Sequence, residues 1–262
     1  MSEEAVRSAR RGAVLEVTLD RPKANAIDAA TSRRMGEIFA GFRDDPELKV
    51  AVLTGGGDRF FSAGWDLKAA AEGDVRPDDD YGVGGFGGLQ ELPDLNKPVI
   101  AAVNGMAVGG GFELALSCDL IVAAESASFA LPEIRSGTIA DAATVKLPAR
   151  LPYHVAVEML FTGRWMDSAE AARWGLVNRR VPDHDLMAHA RNLADHLADG
   201  PPLVFAAIKE VLRARETRSF QETLDLINRR ELATIDTLYS SEDQLEGARA
   251  FAEKRDPVWK GR

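Results

Sequence analysis

Cysteine is nearly absent: Cys118 stands alone among 262 residues. A disulfide framework and a cysteine metal site are therefore both excluded. Lying in an apolar stretch, Cys118 reads as a small buried hydrophobe. Positive charge is also scarce, with 32 Lys and Arg against 41 Asp and Glu and a net charge of −9. That balance argues against nucleic-acid binding, which rests on neutralising phosphates. It leaves room for a phosphorylated small ligand, which a few local cations would hold. Of the four histidines, His154 is isolated, and His184, His189 and His196 fall on one predicted helix. His189 and His196 are two turns apart, too far to share a metal, so no metal site is expected. No apolar run approaches the length that spans a bilayer, and Met1-Ser2-Glu3-Glu4 leads into no secretory signal. A soluble cytoplasmic protein with no membrane partner is expected. No serine or cysteine nucleophile has a suitable partner nearby in sequence.

Apolar residues, by contrast, make up 45% of the chain, enough for a sizeable core. Val14 to Leu19 alternates and predicts a strand, stopped by Asp20-Arg21-Pro22. A helix is predicted from an N-cap at Asp28 to about Phe42. Val50 to Leu53, Val99 to Val103 and Leu120 to Ala124 read as short buried strands. The glycine-rich stretch from Gly73 to Gly88, with the acidic run Asp78-Asp79-Asp80, predicts a mobile loop or lid, or else a plain surface excursion. After about Asp183 the periodicity turns helical. Ser219 with Glu222 and Ser241 with Gln244 have the spacing of capping boxes. Repeated strand, loop and helix units indicate an α/β class with largely parallel pairing. A core over residues 1–196 and an all-helical region over 197–262 are expected.

The chemistry concentrates in two loops. Gly109-Gly110-Gly111 precedes an apolar helix, where missing Cβ atoms let a ligand approach backbone N–H groups at the positive end of the helix dipole. Glu113 follows Gly110 by three residues inside a segment otherwise apolar from Phe112 to Leu116. A carboxylate there must be paired, exposed or functional, since burying an unpaired charge costs too much. Glu133 follows Pro132 in a second loop. Taken singly, each glutamate is an ordinary solvated residue; together they suggest a carboxylate pair facing an anion-stabilising backbone.

These residues carry a family resemblance. Phe61-Ser62-Ala63-Gly64-Trp65-Asp66-Leu67 resembles the first signature of the crotonase, or enoyl-CoA hydratase/isomerase, superfamily. Asn104-Gly105 through Gly109-Gly110-Gly111-Phe112-Glu113-Leu114, then Cys118-Asp119, resembles the second. Arg21-Pro22 with Asn25-Ala26-Ile27 matches an early motif, and Phe251-Ala252-Glu253-Lys254-Arg255 a C-terminal one. The likeness runs collinearly along essentially the whole chain.

That resemblance implies a spiral of ββα units followed by a helical region used for trimerisation, with homotrimers or homohexamers as assemblies. It also implies an oxyanion hole formed by the backbone N–H groups of Trp65 and Gly110. Glu113 and Glu133 match the two glutamates that hydratases of the family use in adding or removing water. Coenzyme A, part of the substrate rather than a separate cofactor, would be held around Lys23, Ala24 and Ala63, with Asp66 nearby. Phe251 and Lys254 would reach its phosphates or adenine, often from a neighbouring subunit. Within the superfamily the chain is most similar to members acting on a quaternary-ammonium acyl group. Trp65, Tyr81 or Phe86 could recognise that cation through π contact, helped by Asp141. Where relatives carry a proline and a glycine pair, Ile139 to Thr144 carries none, and the added Cβ atoms narrow the pocket beside Glu133. Both carboxylates favour water addition or elimination. An isomerase, or an acyl-CoA-binding paralogue of low activity, are the alternatives.

Overall fold

The computed structural model describes residues 5–66, 71 and 79–262. The chain opens with β1 (Val6–Arg11) and β2 (Val14–Leu19), an antiparallel hairpin. There follow β3 (Ala26–Ile27), α1 (Ala29–Asp44), β4 (Val50–Gly55), β5 (Phe60–Ser62) and β6 (Gly64–Trp65). Next come β7 (Val99–Val103), β8 (Met106–Val108), α2 (Gly110–Leu116), β9 (Leu120–Ala124) and β10 (Ser128–Ala130). The last mixed stretch holds α3 (Asp141–Lys146), α4 (Tyr153–Thr162), β11 (Trp165–Asp167), α5 (Ser168–Arg173) and β12 (Arg179–Val181). Five helices finish the chain: α6 (Leu186–Ala198), α7 (Pro202–Glu216), α8 (Phe220–Asn228), α9 (Ala233–Tyr239) and α10 (Asp243–Glu253).

The strands divide between two principal sheets in a regular alternation. One sheet has the order β1-β2-β4-β7-β9-β12, the other β11-β10-β8-β5, and β3 pairs with β6 alone. Each of β4, β7 and β9 enters the larger sheet, and the strand that follows it joins the smaller one. That repeat is the expected spiral of ββ turns. All neighbours are parallel except β1 with β2 and β10 with β11. Because α6 packs across β4, β7 and β9 on one side and the core fills the other, these strands are buried on both faces. Continuous apolar runs such as Val99-Ile100-Ala101-Ala102-Val103 follow from that.

The predicted N-cap holds: the Asp28 carboxylate accepts from Thr31 N–H at 2.7 Å and starts α1. Ser219 and Glu222 form a full capping box on α8. At α10 the box is only half made. Ser241 Oγ accepts from Gln244 N–H at 3.2 Å, but the Ser241 amide is bonded to Leu238 O. His184 falls in a 3₁₀ turn ahead of α6, whereas His189 and His196 lie on it.

The stretch from Gly73 to Asp78 lies outside the described residues, as do Leu67 of the first signature and Met1 to Glu4. From Gly84 to Leu89 the lid reading is overturned, for all but Phe86 of these residues are buried. Gly87 N–H donates to Ser32 Oγ at 3.1 Å, and Gly88 lies directly against the backbone of Gly36 in α1. Glycines here serve close backbone packing: positive φ at Gly85, Gly87 and Gly88 folds the segment into a compact wall rather than an open loop.

Candidate active site

Two backbone segments meet at the start of α2. Gly64 has φ +77, and a Cβ placed on it would come within 2.6 Å of the Gly110 nitrogen and 2.9 Å of the Gly111 nitrogen. The two signature motifs thus lie backbone against backbone. Gly110 opens a helix, so its N–H has no intrahelical acceptor. Just past β6 the Asp66 N–H already donates to Ile27 O at 3.1 Å. Successive amides of a strand point to opposite sides, which turns Trp65 N–H away from β3. Ser62 fixes this bend: its hydroxyl accepts from Gly64 N–H at 3.1 Å and donates to Asn25 O at 2.7 Å.

The carboxylates follow from the same elements. Glu113 sits one turn into α2, only 7% exposed, and its Oε1 accepts from Ala143 N–H at 2.9 Å. Burial raises its pKa first of all; the Ala143 amide opposes this and the Asp141 charge adds to it. Glu133 lies in a 3₁₀ turn, Pro132–Arg135, after β10. Its Oε2 is buried and has no hydrogen-bond partner among the described residues. Its Oε1 lies against Gly109, where a Cβ would come to 2.7 Å and φ is +54. Burial, then the charges of Glu113 and Asp141, push its pKa up to about 7. Three acidic side chains therefore share one region, Glu113 buried, Glu133 half-buried and Asp141 exposed at the head of α3.

Other sequence-predicted residues gather around this centre in part. Phe86 lies on Gly110, where a Cβ would come within 2.5 Å of its Cε1, and Tyr81 meets Phe86 edge to face at 5.7 Å. Ala63 N–H donates to Ala24 O at 2.9 Å, joining the two segments expected to hold coenzyme A. Lys23 has φ 78 and lines a cleft of about 240 Å³ with Arg21, Asn25 and Arg59. Asp66 accepts from Arg21 at 2.7 Å, so its carboxylate anchors the early motif to the first signature. Phe251 and Lys254 lie elsewhere, on α10 beside α9. Phe251 is 88% exposed, and Lys254 ends its helix in a left-handed turn with φ 55.

The sequence pattern of the enoyl-CoA hydratase/isomerase family matches residues 9–262. The chain belongs to that family. A carnitinyl-CoA dehydratase from Citrobacter koseri is 58% identical over 260 residues, covering 99% of both chains, and one from Salmonella typhimurium is equally similar. Among solved structures, an enoyl-CoA hydratase from Mycobacterium tuberculosis H37Rv superposes with a TM-score of 0.88 at 36% identity, covering 98% of this chain and 99% of that one. A carnitinyl-CoA hydratase from Mycobacterium avium gives 0.76 at 42%, with the same coverage. The crotonase fold and an enzyme of hydro-lyase type follow for this chain.

Several residues that matter to this crotonase site had no individual role assigned from the sequence. Asn25, 4% exposed, donates from Nδ2 to Gly56 O and Phe60 O and accepts from Arg21 N–H, tying three loops together. Ala143 occupies the stretch that lacks the family's glycines, yet supplies the amide that holds Glu113. Backbone donors survive side-chain change. Lys146, buried enough to lower its pKa, donates to Ser117 Oγ at 2.9 Å. Ser117 in turn donates to the Glu113 carbonyl at 2.9 Å.

A stability measurement reads the Glu133 environment. A carboxyl raised from 4.5 to about 7 binds its proton more tightly when folded. Its contribution to stability is complete below the unfolded value and is lost as pH rises through the folded one. Between about pH 4.5 and 7 the wild-type chain should lose more stability than Glu133→Gln, in urea titrations at matched pH. Parallel curves would show that Glu133 ionises normally.

Proposed function

We propose that the chain catalyses reversible hydration and dehydration of an α,β-unsaturated acyl-CoA, with crotonobetainyl-CoA and carnitinyl-CoA as the acyl pair. The observation that carries this reading is the convergence of Glu113 and Glu133 on the end of α2 where Gly110 N–H is unspent. Trp65 and Gly110 N–H groups would receive the thioester oxygen. Proton removal or delivery at Cα passes through an enolate-like state whose charge collects there. Preorganised donors of this kind are worth roughly 2.7–4 kcal/mol each. One glutamate would take a proton from the water attacking Cβ and the other would deliver a proton to Cα. A carboxyl near pKa 7 is suited to either role at neutral pH.

Lys23, Ala24, Ala63 and Asp66 would line the coenzyme A path, Asp66 through the rigidity that its Arg21 pair gives the motif. No separate cofactor enters the chemistry. The helical region after residue 196 would mediate trimers or hexamers of this cytoplasmic enzyme. Ile208, Leu212 and Phe220 on α7 and α8 are exposed apolar side chains that a subunit contact would cover. Phe251 and Lys254 would then serve the site of a neighbouring subunit.

Asp141, exposed and felt by both glutamates, would face the trimethylammonium group beside Phe86 and Tyr81. Kinetics with carnitinyl-CoA and 3-hydroxybutyryl-CoA test this. Asp141→Asn should raise KM for the cationic thioester on the order of tenfold and leave the neutral one unaffected. Equal effects on both, or a wild-type enzyme indifferent to the cation, would remove the carnitinyl assignment.

A further inference from the structure

The segment from Phe86 to Gln90 forms one wall of the site, and its last residue has an unused donor. Phe86 lies on Gly110, and Gly87 faces Leu114, where a Cβ would come within 3.1 Å of Cδ1. Gly110, Glu113 and Leu114 share one helical face, spaced three and four residues apart, so the segment crosses α2 along the edge that carries Glu113. The segment is held firmly. Gly87 N–H is bonded to Ser32 Oγ, and Glu91 N–H donates to Gly84 O at 2.9 Å, bracketing Gln90 on both sides. The Gln90 side chain faces the Glu113 carboxylate and favours its charged form. Nevertheless its Nε2 is buried without a hydrogen-bond partner among the described residues.

A buried amide donor left unpaired is costly, and such groups in folded proteins have partners or a function. The opposite amide orientation would turn an acceptor toward a carboxylate, so the donor-facing arrangement is the favourable one. Glu133 Oε2 is a second buried polar atom without a partner in the same region. An oxygen held by the glutamates would satisfy both atoms, giving a proton to the carboxylate and accepting one from the amide.

We infer that Gln90 presents its Nε2 donor to the oxygen that is added to or removed from Cβ. The inference rests on the hydratase reading above. In hydration the amide fixes the water's idle lone pair, leaving the other to form the C–O bond as a glutamate takes the proton. In dehydration the C–O bond breaks, the oxygen gains electron density, and the same donor stabilises it as a glutamate returns the proton. Gln90 thereby touches the reacting atoms.

Hydration of crotonyl-CoA by wild type, Gln90→Met and Gln90→Glu tests the assignment. The Met variant keeps length and loses the donor. Its kcat should fall by about 100-fold, the lower end of what losing one preorganised donor costs, with KM unchanged. The pH limb belonging to Glu113 should move upward, because the group favouring its charge is gone. Asp141, Glu133 and Lys146, which also face Glu113, stay in place as constants of the comparison. Gln90→Glu puts a fourth acid beside them, so it should move that limb further and also depress kcat. It carries the test by itself if the Met chain does not fold, as judged by thermal melting. A Met variant with wild-type kcat and a superimposable pH profile, or one changed only in KM, would overturn the role of Gln90 alone. A wild-type chain silent toward every enoyl thioester would overturn the hydratase reading and this inference together.

Discussion

Glu133→Gln is expected to lower kcat for water addition to an enoyl-CoA by about 10²–10⁴, the usual worth of a positioned general acid or base. Affinity for the thioester should not change. The reason lies in the geometry: the carboxyl has one oxygen against Gly109 and the other buried without a partner. Glutamine fills the same space, so the wall of the pocket survives while the titrating proton does not. Glu113→Gln should behave similarly, although its Oε1 also holds Ala143 N–H, an acceptor that the amide oxygen can replace. Because the two are proposed to serve one reaction step, the double variant should lose little more than the worse single one. Single-turnover rates and a binding isotherm for each variant settle the matter. Strictly multiplicative losses, or a loss confined to binding, would mean that the two carboxyls do not share one reaction.

The second large effect is expected from a single methyl group. Gly64→Ala places a Cβ within 2.6 Å of Gly110 N and 2.7 Å of Val108 O, on a residue whose φ is +77. No flexible side chain can give way, since the atoms met are backbone. β6 must move away from α2, and the two N–H groups proposed for the thioester oxygen separate. Loss of about 10²–10³ in kcat follows if one donor is displaced, together with a lowered melting temperature from the strained φ. Gly57→Ala is the control, because its φ is also positive, +77, but nothing lies within 4 Å of the added carbon. It should cost stability and leave kcat near wild type. Equal kcat losses in both variants would attribute the Gly64 effect to strain rather than to the oxyanion hole.

These expectations show how the departure from family pattern at Ile139 to Thr144 is accommodated. Where the family resemblance leads one to expect a glycine pair, this stretch carries side chains with Cβ atoms but keeps its backbone amides. The structure uses one of them on Glu113. Burial and the charges of Glu113 and Asp141 push the Glu133 carboxyl up to about 7.

Much of this site was legible in residue order. Motif spacing and apolar periodicity depend on local chemistry: β7 and β9 begin and end where their apolar runs do, and Asp28 caps α1 because a carboxylate there meets free N–H groups whatever the rest of the chain does. Gly109-Gly110-Gly111 ahead of Glu113 marked close approach to a backbone, and Phe86 and Ser62 do pack directly on Gly110 and Gly111. Burial and partnership are different in kind, since they depend on segments distant in sequence. The glycines from Gly84 to Gly88 suggested mobility, and only their packing against α1 and α2 made them a wall. Nothing around Gln90 marked it, for an amide has meaning only beside the carboxylate it faces. That Glu133 is held up to about 7 likewise required the tertiary structure, because desolvation is a property of surroundings and not of the residue.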